Sequence, residues 1–143
     1  MVKVVKFGGS SLASAEQFMK VGKIIKSDES RKYVVPSAPG KRSSKDTKVT
    51  DMLYACYDLA EKDEDFRVLL MKIKDRYDSI INGLHLKLAL DSEFTTIAEN
   101  FKAKAGVDYG LMTAAASSRC RSCLREALSI ITMRSQSRMS ARR

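Results

Sequence analysis

The sequence predicts an α/β fold whose short parallel sheet offers a binding site along one edge. Three observations carry this. The β-branched run Val2-Lys3-Val4-Val5-Lys6-Phe7 ends in Gly8-Gly9-Ser10-Ser11, the composition of a strand closed by a turn. After one stretch with helical spacing, a second short run, Tyr33-Val34-Val35, is stopped by Pro36. Beyond it, apolar residues recur at helical spacing as far as Phe101-Lys102. Strand, helix and strand with short connections make a βαβ unit. Its strands are expected to be parallel, and ligands of such sheets lie at the C-terminal strand ends. Loops 8–11 and 37–42 both follow strands, so both are expected at that edge.

Taken in order, Val2–Phe7 reads as a buried strand. Ser11 or Ser14 can cap the helix that follows. From Ala15 to Lys26, Phe18, Met19, Val21, Ile24 and Ile25 recur at helical spacing with Lys20, Lys23 and Lys26 between them, an amphipathic pattern. Ser27-Asp28-Glu29-Ser30 is a polar turn before the second strand. Pro36 to Lys45 is a loop by composition. Thr47 or Thr50 then opens a helix whose stripe is Val49, Met52, Leu53, Cys56, Tyr57, Leu59 and Ala60. A third helix runs from about Glu64 to Ile81, with Asn82-Gly83 as its C-terminal stop. A fourth starts near Asp91-Ser92 as N-cap and turns Phe94, Ile97, Ala98 and Phe101 inward. These apolar faces are core packing and carry no chemistry.

The bulk properties bound the rest. A chain of 143 residues is one domain's worth. Its hydrophobic share of 44% is that of a globular protein rather than a disordered one. No apolar run reaches the roughly eighteen residues a membrane helix needs, and Lys3 and Lys6 interrupt any leader-like segment. A cytoplasmic protein is the expectation. The three cysteines, Cys56, Cys120 and Cys123, make no disulfide framework. One C-x-x-C pair with His85 as the only histidine lacks the ligands of a zinc site, so no metal centre is expected. His85 reads as a partly exposed loop or helix-edge residue.

Charge divides the chain. Residues 1–109 carry 19 basic and 16 acidic side chains, whereas residues 110–143 carry seven arginines, no lysine and one glutamate. We therefore read 1–109 as the folded portion and 110–143 as an Arg/Ser-rich tail. Three readings of that tail stand side by side: a solvated end, a basic arm for nucleic acid, and the product of a shifted reading frame.

The glycine turn carries the chemistry. A lysine at a strand end, followed by Gly-Gly-Ser-Ser, is a way to hold a phosphate. Lys6 would reach the phosphates, Gly8 and Gly9 would allow close backbone approach with positive φ, and Ser10 and Ser11 would donate hydroxyls at a helix N-terminus. A Walker A loop is excluded, since Gly40-Lys41 is preceded by Val35 and followed by Arg42 where that motif needs Gly and Ser or Thr. No G-x-G-x-x-G occurs.

Lys6-Phe7-Gly8-Gly9-Ser10-Ser11, Val35-Pro36-Ser37-Ala38-Pro39-Gly40-Lys41 and Val49-Thr50-Asp51-Met52-Leu53, in this order and spacing, resemble the N-terminal part of aspartokinases. The likeness runs over about residues 2–109, to Ala105-Gly106-Val107-Asp108-Tyr109. It implies part of a three-layer α/β/α amino acid kinase fold around a mainly parallel sheet. It also implies transfer of the ATP γ-phosphoryl group to the side-chain carboxylate of L-aspartate, giving 4-phospho-L-aspartate for lysine, threonine and methionine synthesis. By the same resemblance Lys6 is catalytic, Lys6, Phe7, Gly8, Gly9 and Ser10 bind the ATP phosphates, and Ser37 and Thr50 lie on the substrate side. The implied cofactors are ATP with Mg2+. The implied partners are small molecules rather than a membrane or nucleic acid, with an unpaired sheet edge open to another chain. After Tyr109 the pattern departs: the family's glutamate for the aspartate amino group has no counterpart, since Glu126 stands in an unrelated context. A fragment ended or frame-altered near residue 110, with weak or no activity alone, is the resulting expectation. A nucleic-acid- or partner-binding module is the alternative.

Overall fold

The computed structural model describes residues 1–103. The expectations for 104–143, including the boundary at 109, the Cys120-Cys123 pair and the basic tail, lie outside the described residues. Strand β1 spans Lys3–Phe7, and a 3-10 turn spans Gly9–Leu12. Helix α1 is Ala15–Lys26, β2 is Arg31–Pro36, α2 is Val49–Glu61, α3 is Arg67–Gly83 and α4 is Asp91–Lys102.

The two strands pair in parallel, with Val4 opposite Tyr33, Val5 opposite Val34, Lys6 opposite Val35 and Phe7 opposite Pro36. The register slips by one between Lys3 and Val4, leaving Lys32 as the extra residue. Side chains alternate across a sheet, so Phe7, Val34 and Pro36 share the covered face with Val5. Phe7 and Val34 pack on the core. Val4, Tyr33 and Val35 share the other face and stand exposed, as does Val2. The expectation of a buried β1 therefore holds for one face only. A parallel strand pair is normally covered on both sides, and here the described helices cover one.

Asp28 fixes the turn between α1 and β2. Its carboxylate accepts hydrogen bonds from Lys3 Nζ at 2.8 Å and Ser30 N at 2.9 Å, and the Lys3 bond chiefly holds its carboxyl well below the usual range. Lys3 N also donates to the Ser30 carbonyl at 2.7 Å, which sets the start of the strand pairing.

The helices bury one stripe each, as their spacing foretells, except that on α1 Met19 and Ile24, expected in that stripe, stand exposed. Leu12, Phe18, Val21, Val49, Cys56, Ile73 and Tyr77 are almost wholly enclosed. Phe66 meets Phe101 edge-on with ring centres 5.2 Å apart, and Tyr77 meets Phe94 at 6.2 Å, distances typical of favourable aromatic pairs. Cys56 sits inside this core, and burial pushes its thiol up to about 12, which keeps it protonated and unreactive.

Helix ends differ from expectation. Ser14 caps α1, accepting from Gln17 N, so of the two serines the second is chosen. Lys48, Phe66 and Leu90 precede α2, α3 and α4 and make no side-chain cap bond. Neither threonine caps α2 and the Asp-Ser pair does not cap α4: Thr47 lies one residue outside the Lys48 cap position, and Thr50, Asp91 and Ser92 already lie inside their helices. Helix α3 begins at Arg67 rather than Glu64 because Asp65 turns back to accept from Arg67 N at 3.0 Å. It runs on through Gly83. No glycine among the described residues has positive φ, whereas His85 has φ 54°. Gly83 is small for packing instead: a Cβ there would lie 2.7 Å from Ala15 Cβ, so it lets α1 and α3 approach. His85 is exposed, as expected. Among the described residues no helix is long and apolar enough to cross a membrane.

Candidate functional site

The C-terminal edge of the strand pair is assembled by backbone hydrogen bonds between the two loops. Ser37 N donates to the Phe7 carbonyl at 3.0 Å and Gly40 N to the Gly9 carbonyl at 2.8 Å, while Val49 N donates to the Pro39 carbonyl at 3.2 Å. The first loop, the second loop and the start of α2 are thus tied in series. Glycine is required at both contact points. A Cβ on Gly9 would lie 2.7 Å from the Ala38 carbonyl oxygen, and one on Gly40 would lie 2.6 Å from Gly9 C and Ser10 N. Gly8 has open space around its Cα and an extended backbone, with φ −75° and ψ 166°. The expected positive φ at Gly8 and Gly9 is therefore a correction. Their smallness, and not left-handed geometry, is what the turn uses.

A second correction concerns the helix. The glycines do not open α1 directly. The 3-10 turn Gly9–Leu12 intervenes, anchored by the buried Leu12, and α1 starts at Ala15. Ser10 and Ser11 therefore lie on the short turn and not at the α1 N-terminus.

Between the loops lies a cleft of about 550 Å³ lined by Gly9, Ser10, Ser37, Ala38, Pro39, Gly40, Lys41, Lys48 and Thr50. Of the residues expected at the site, Gly9, Ser10, Ser37 and Thr50 come together here. Lys6, Phe7 and Gly8 do not line it. Lys6 is exposed beside Val35 on the bare sheet face, Phe7 turns its ring to the core and offers only its carbonyl, and Gly8 is exposed one residue before the cleft. Among the described residues the lining holds two lysines and no carboxylate, and neither Lys41 nor Lys48 forms an ion pair there. Uncompensated positive charge beside serine and threonine hydroxyls and close-approach glycines suits an anion.

Sequence reasoning gave no role to Lys41 and overlooked Lys48, although its place just before Val49-Thr50-Asp51 put it at the same edge. It also missed Arg76, which supports the second loop from α3. Arg76 is 4% exposed. Its Nη1 donates to the Thr47 carbonyl and its Nη2 to the Gly40 carbonyl, and Nη2 lies 2.8 Å from Asp46 Oδ2. Asp46 in turn accepts from Arg42 N and Arg42 Nε, each at 2.9 Å. The Arg42 bonds, aided by the Arg76 charge, hold the Asp46 carboxyl well below the usual carboxylate range. Burial pulls the Arg76 pKa down and Asp46 opposes this. A signal was present: Arg76 falls three residues after Ile73 and four before Ile80, on the inner stripe of α3.

Among the described residues no group of three or more His, Cys, Asp or Glu side chains is placed to hold a metal ion.

This portion of chain, with its parallel strand pair, helical cover and lysine-bearing edge, is part of an α/β amino acid kinase fold. Its relatives are aspartate kinases. Aspartokinase 3 of Bacillus subtilis (strain 168) is 51% identical over 85 residues, which is 59% of this chain and 19% of that protein. The crystal structure of Clostridium acetobutylicum aspartate kinase superposes with TM-score 0.77 at 38% identity, over 90% of this chain and 29% of that one. Escherichia coli aspartokinase III, solved in complex with aspartate and ADP, superposes with TM-score 0.69 over the same shares at 20% identity, a likeness of fold alone. The chain thus resembles aspartate kinases in sequence and in fold, and it spans less than a third of the length of each of these relatives. No family model matches the chain.

Proposed function

We propose that residues 1–103 form the phosphate-facing half of an aspartate kinase site in a cytoplasmic enzyme. The observation that carries this is the contact of Gly9 with Gly40, which joins two loops around one cleft whose described lining bears two lysines and no carboxylate. In the reaction a side-chain carboxylate oxygen of L-aspartate attacks the γ-phosphorus of ATP. The new O–P bond forms as the bond to the β-phosphate oxygen breaks, leaving 4-phospho-L-aspartate and ADP. A carboxylate needs no base, so the demand on the protein is positioning and charge compensation.

In this reading Phe7 to Ser10 contribute the turn beneath the phosphates, with Gly9 in the cleft wall and Gly8 exposed at its approach. Ser37 and Thr50 offer hydroxyls on the acceptor side. Lys6 is the catalytic cation, and its exposed side chain has to swing from the sheet face over the strand end. Lys41 and Lys48 already face the cleft and share the charge compensation. Among the described residues the cleft lining has no carboxylate, and Mg2+ would arrive with ATP as part of the co-substrate and add to the charge compensation there.

We also propose that the chain alone turns over slowly or not at all, since the described residues build only one wall of a nucleotide site. Incubation with ATP, Mg2+, L-aspartate and hydroxylamine traps any acyl phosphate as the hydroxamate. Trace or no hydroxamate with measurable ATP binding is the expected result. Turnover at ordinary enzyme rates, about 1–1000 per second, would refute the weak-activity proposal. Absence of both ATP and aspartate binding would refute the site.

A further inference from the structure

We propose that Arg76 is a positioning residue for this site: by clamping the carbonyls of Gly40 and Thr47 it holds the second loop against the glycine turn and sets the affinity for a nucleotide's phosphates. The inference rests on the reading of the cleft as a phosphate site.

The geometry supports it in three steps. Arg76 sits on α3, an element that does not line the cleft, and reaches 36 residues back to Gly40 and 29 back to Thr47. Gly40 is the same residue whose N–H bonds to Gly9 and whose Cα abuts it. The path from α3 to the glycine turn is therefore one side chain and one backbone unit long. Second, the loop between the two clamped carbonyls carries Lys41, and Lys48 follows it directly, so the clamp fixes where the cleft's two positive charges stand. Asp46, next to Thr47 at the end of that loop, pairs with Arg76 on α3 and with Arg42 in the loop itself.

The third step is energetic. Burying a guanidinium is unfavourable, and an apolar side chain of similar volume commonly packs as well or better. Arg76 even keeps its Nε buried with no partner among the described residues. Core stability alone does not call for arginine here. An apolar residue lacks the planar donors that engage two carbonyls and a carboxylate of one loop together.

The test uses the whole 143-residue chain labelled with nitrogen-15. Titration with MgATP gives the affinity, and the Gly9 and Gly40 amide resonances report the loop contact. Arg76→Met keeps volume without donors, and Arg76→Lys keeps the charge with fewer of them. Lys74→Ala, on the same helix but paired with Asp78 and Asp91, is the control. Folded Arg76→Met is expected to shift both resonances and weaken MgATP binding by about tenfold or more. Arg76→Lys should fall between it and wild type, and Lys74→Ala should match wild type. Wild-type resonances and affinity in Arg76→Met would overturn the proposal. If Arg76→Met does not fold, Asp46→Asn decides: loosened Gly40 protection with weaker binding supports the clamp, and unchanged values for both overturn it. If wild type binds no MgATP, the phosphate reading has failed, and the affinity half of the proposal falls with it. The two amide resonances then still decide whether Arg76 holds the loops together.

Discussion

At the scale of single residues, Gly8, Gly9 and Gly40 answer to different constraints. Gly9 and Gly40 meet through their backbones with no room for a methyl group, while Gly8 looks onto empty space. Gly40→Ala has to push the loops apart and is expected to destabilise the fold by roughly 1–3 kcal/mol, the usual range for overpacking, and to lose MgATP binding. Gly8→Ala should leave stability within about 0.5 kcal/mol yet weaken MgATP binding, because its methyl would occupy the approach to the turn. Thermal melts and titrations of the two variants separate these outcomes. If Gly8→Ala binds normally, Gly8 does not face the phosphates. The sequence announced these glycines but not their reason. Positive φ is the common cause of a Gly-Gly pair at a turn, and close packing against a distant third glycine cannot be read from local composition.

At the scale of elements, the second loop is an ion-paired structure rather than a bare connection. Asp46 links Arg42 to Arg76 across it. Because its folded-state pKa is depressed, Asp46 contributes stability above the ordinary carboxylate range, near 3.9. That contribution is lost as pH falls from there toward the lower folded value. Asp46→Asn should therefore be less stable than wild type at pH 6, with the gap narrowing below about pH 4. Denaturant melts at both values check this, and a pH-independent gap would show that the carboxylate's charge is irrelevant. All four α-helices were legible from their periods, since each buries one stripe, and both strands from short Val-rich runs closed by Gly-Gly or Pro36, although one face of each strand is exposed. Of the helix starts, only that of α1 is marked by a capping side chain, Ser14, while α1 ends at Lys26 and α4 opens at Asp91 as their spacing set them. At α2, α3 and α4 no side-chain cap marks the start. The convergence of the two loops was legible from βαβ topology. Arg76 was hidden among Lys74, Asp75 and Asp78, which read together as a solvated helix face, although its register pointed inward.

At the scale of the whole molecule, the sheet is clothed on one side by the described residues. Val4, Tyr33 and Val35 are adjacent in register and exposed, with Val2 nearby. Exposed apolar side chains clustered in this way are open to an apolar probe. Wild-type protein is expected to enhance the fluorescence of an apolar dye such as ANS, and the double variant Val4→Lys, Tyr33→Lys should lose most of that signal while keeping its far-UV spectrum. Equal dye binding by both would place the apolar surface elsewhere. The same scale gives the Arg76 bonds a further meaning. Residues 1–36 hold the paired strands and the first loop, and residues 37–48 hold the second loop. The buttress that joins the loops to the helices stands at residue 76, and closing the 36-residue span to it costs about 3 kcal/mol of chain entropy. That cost can be met only once α2 and α3 have packed. The cleft is therefore a property of the assembled domain and not of its motifs, and a peptide cut from residues 1–48 would carry Gly9, Gly40 and both lysines of the cleft without holding the walls in place.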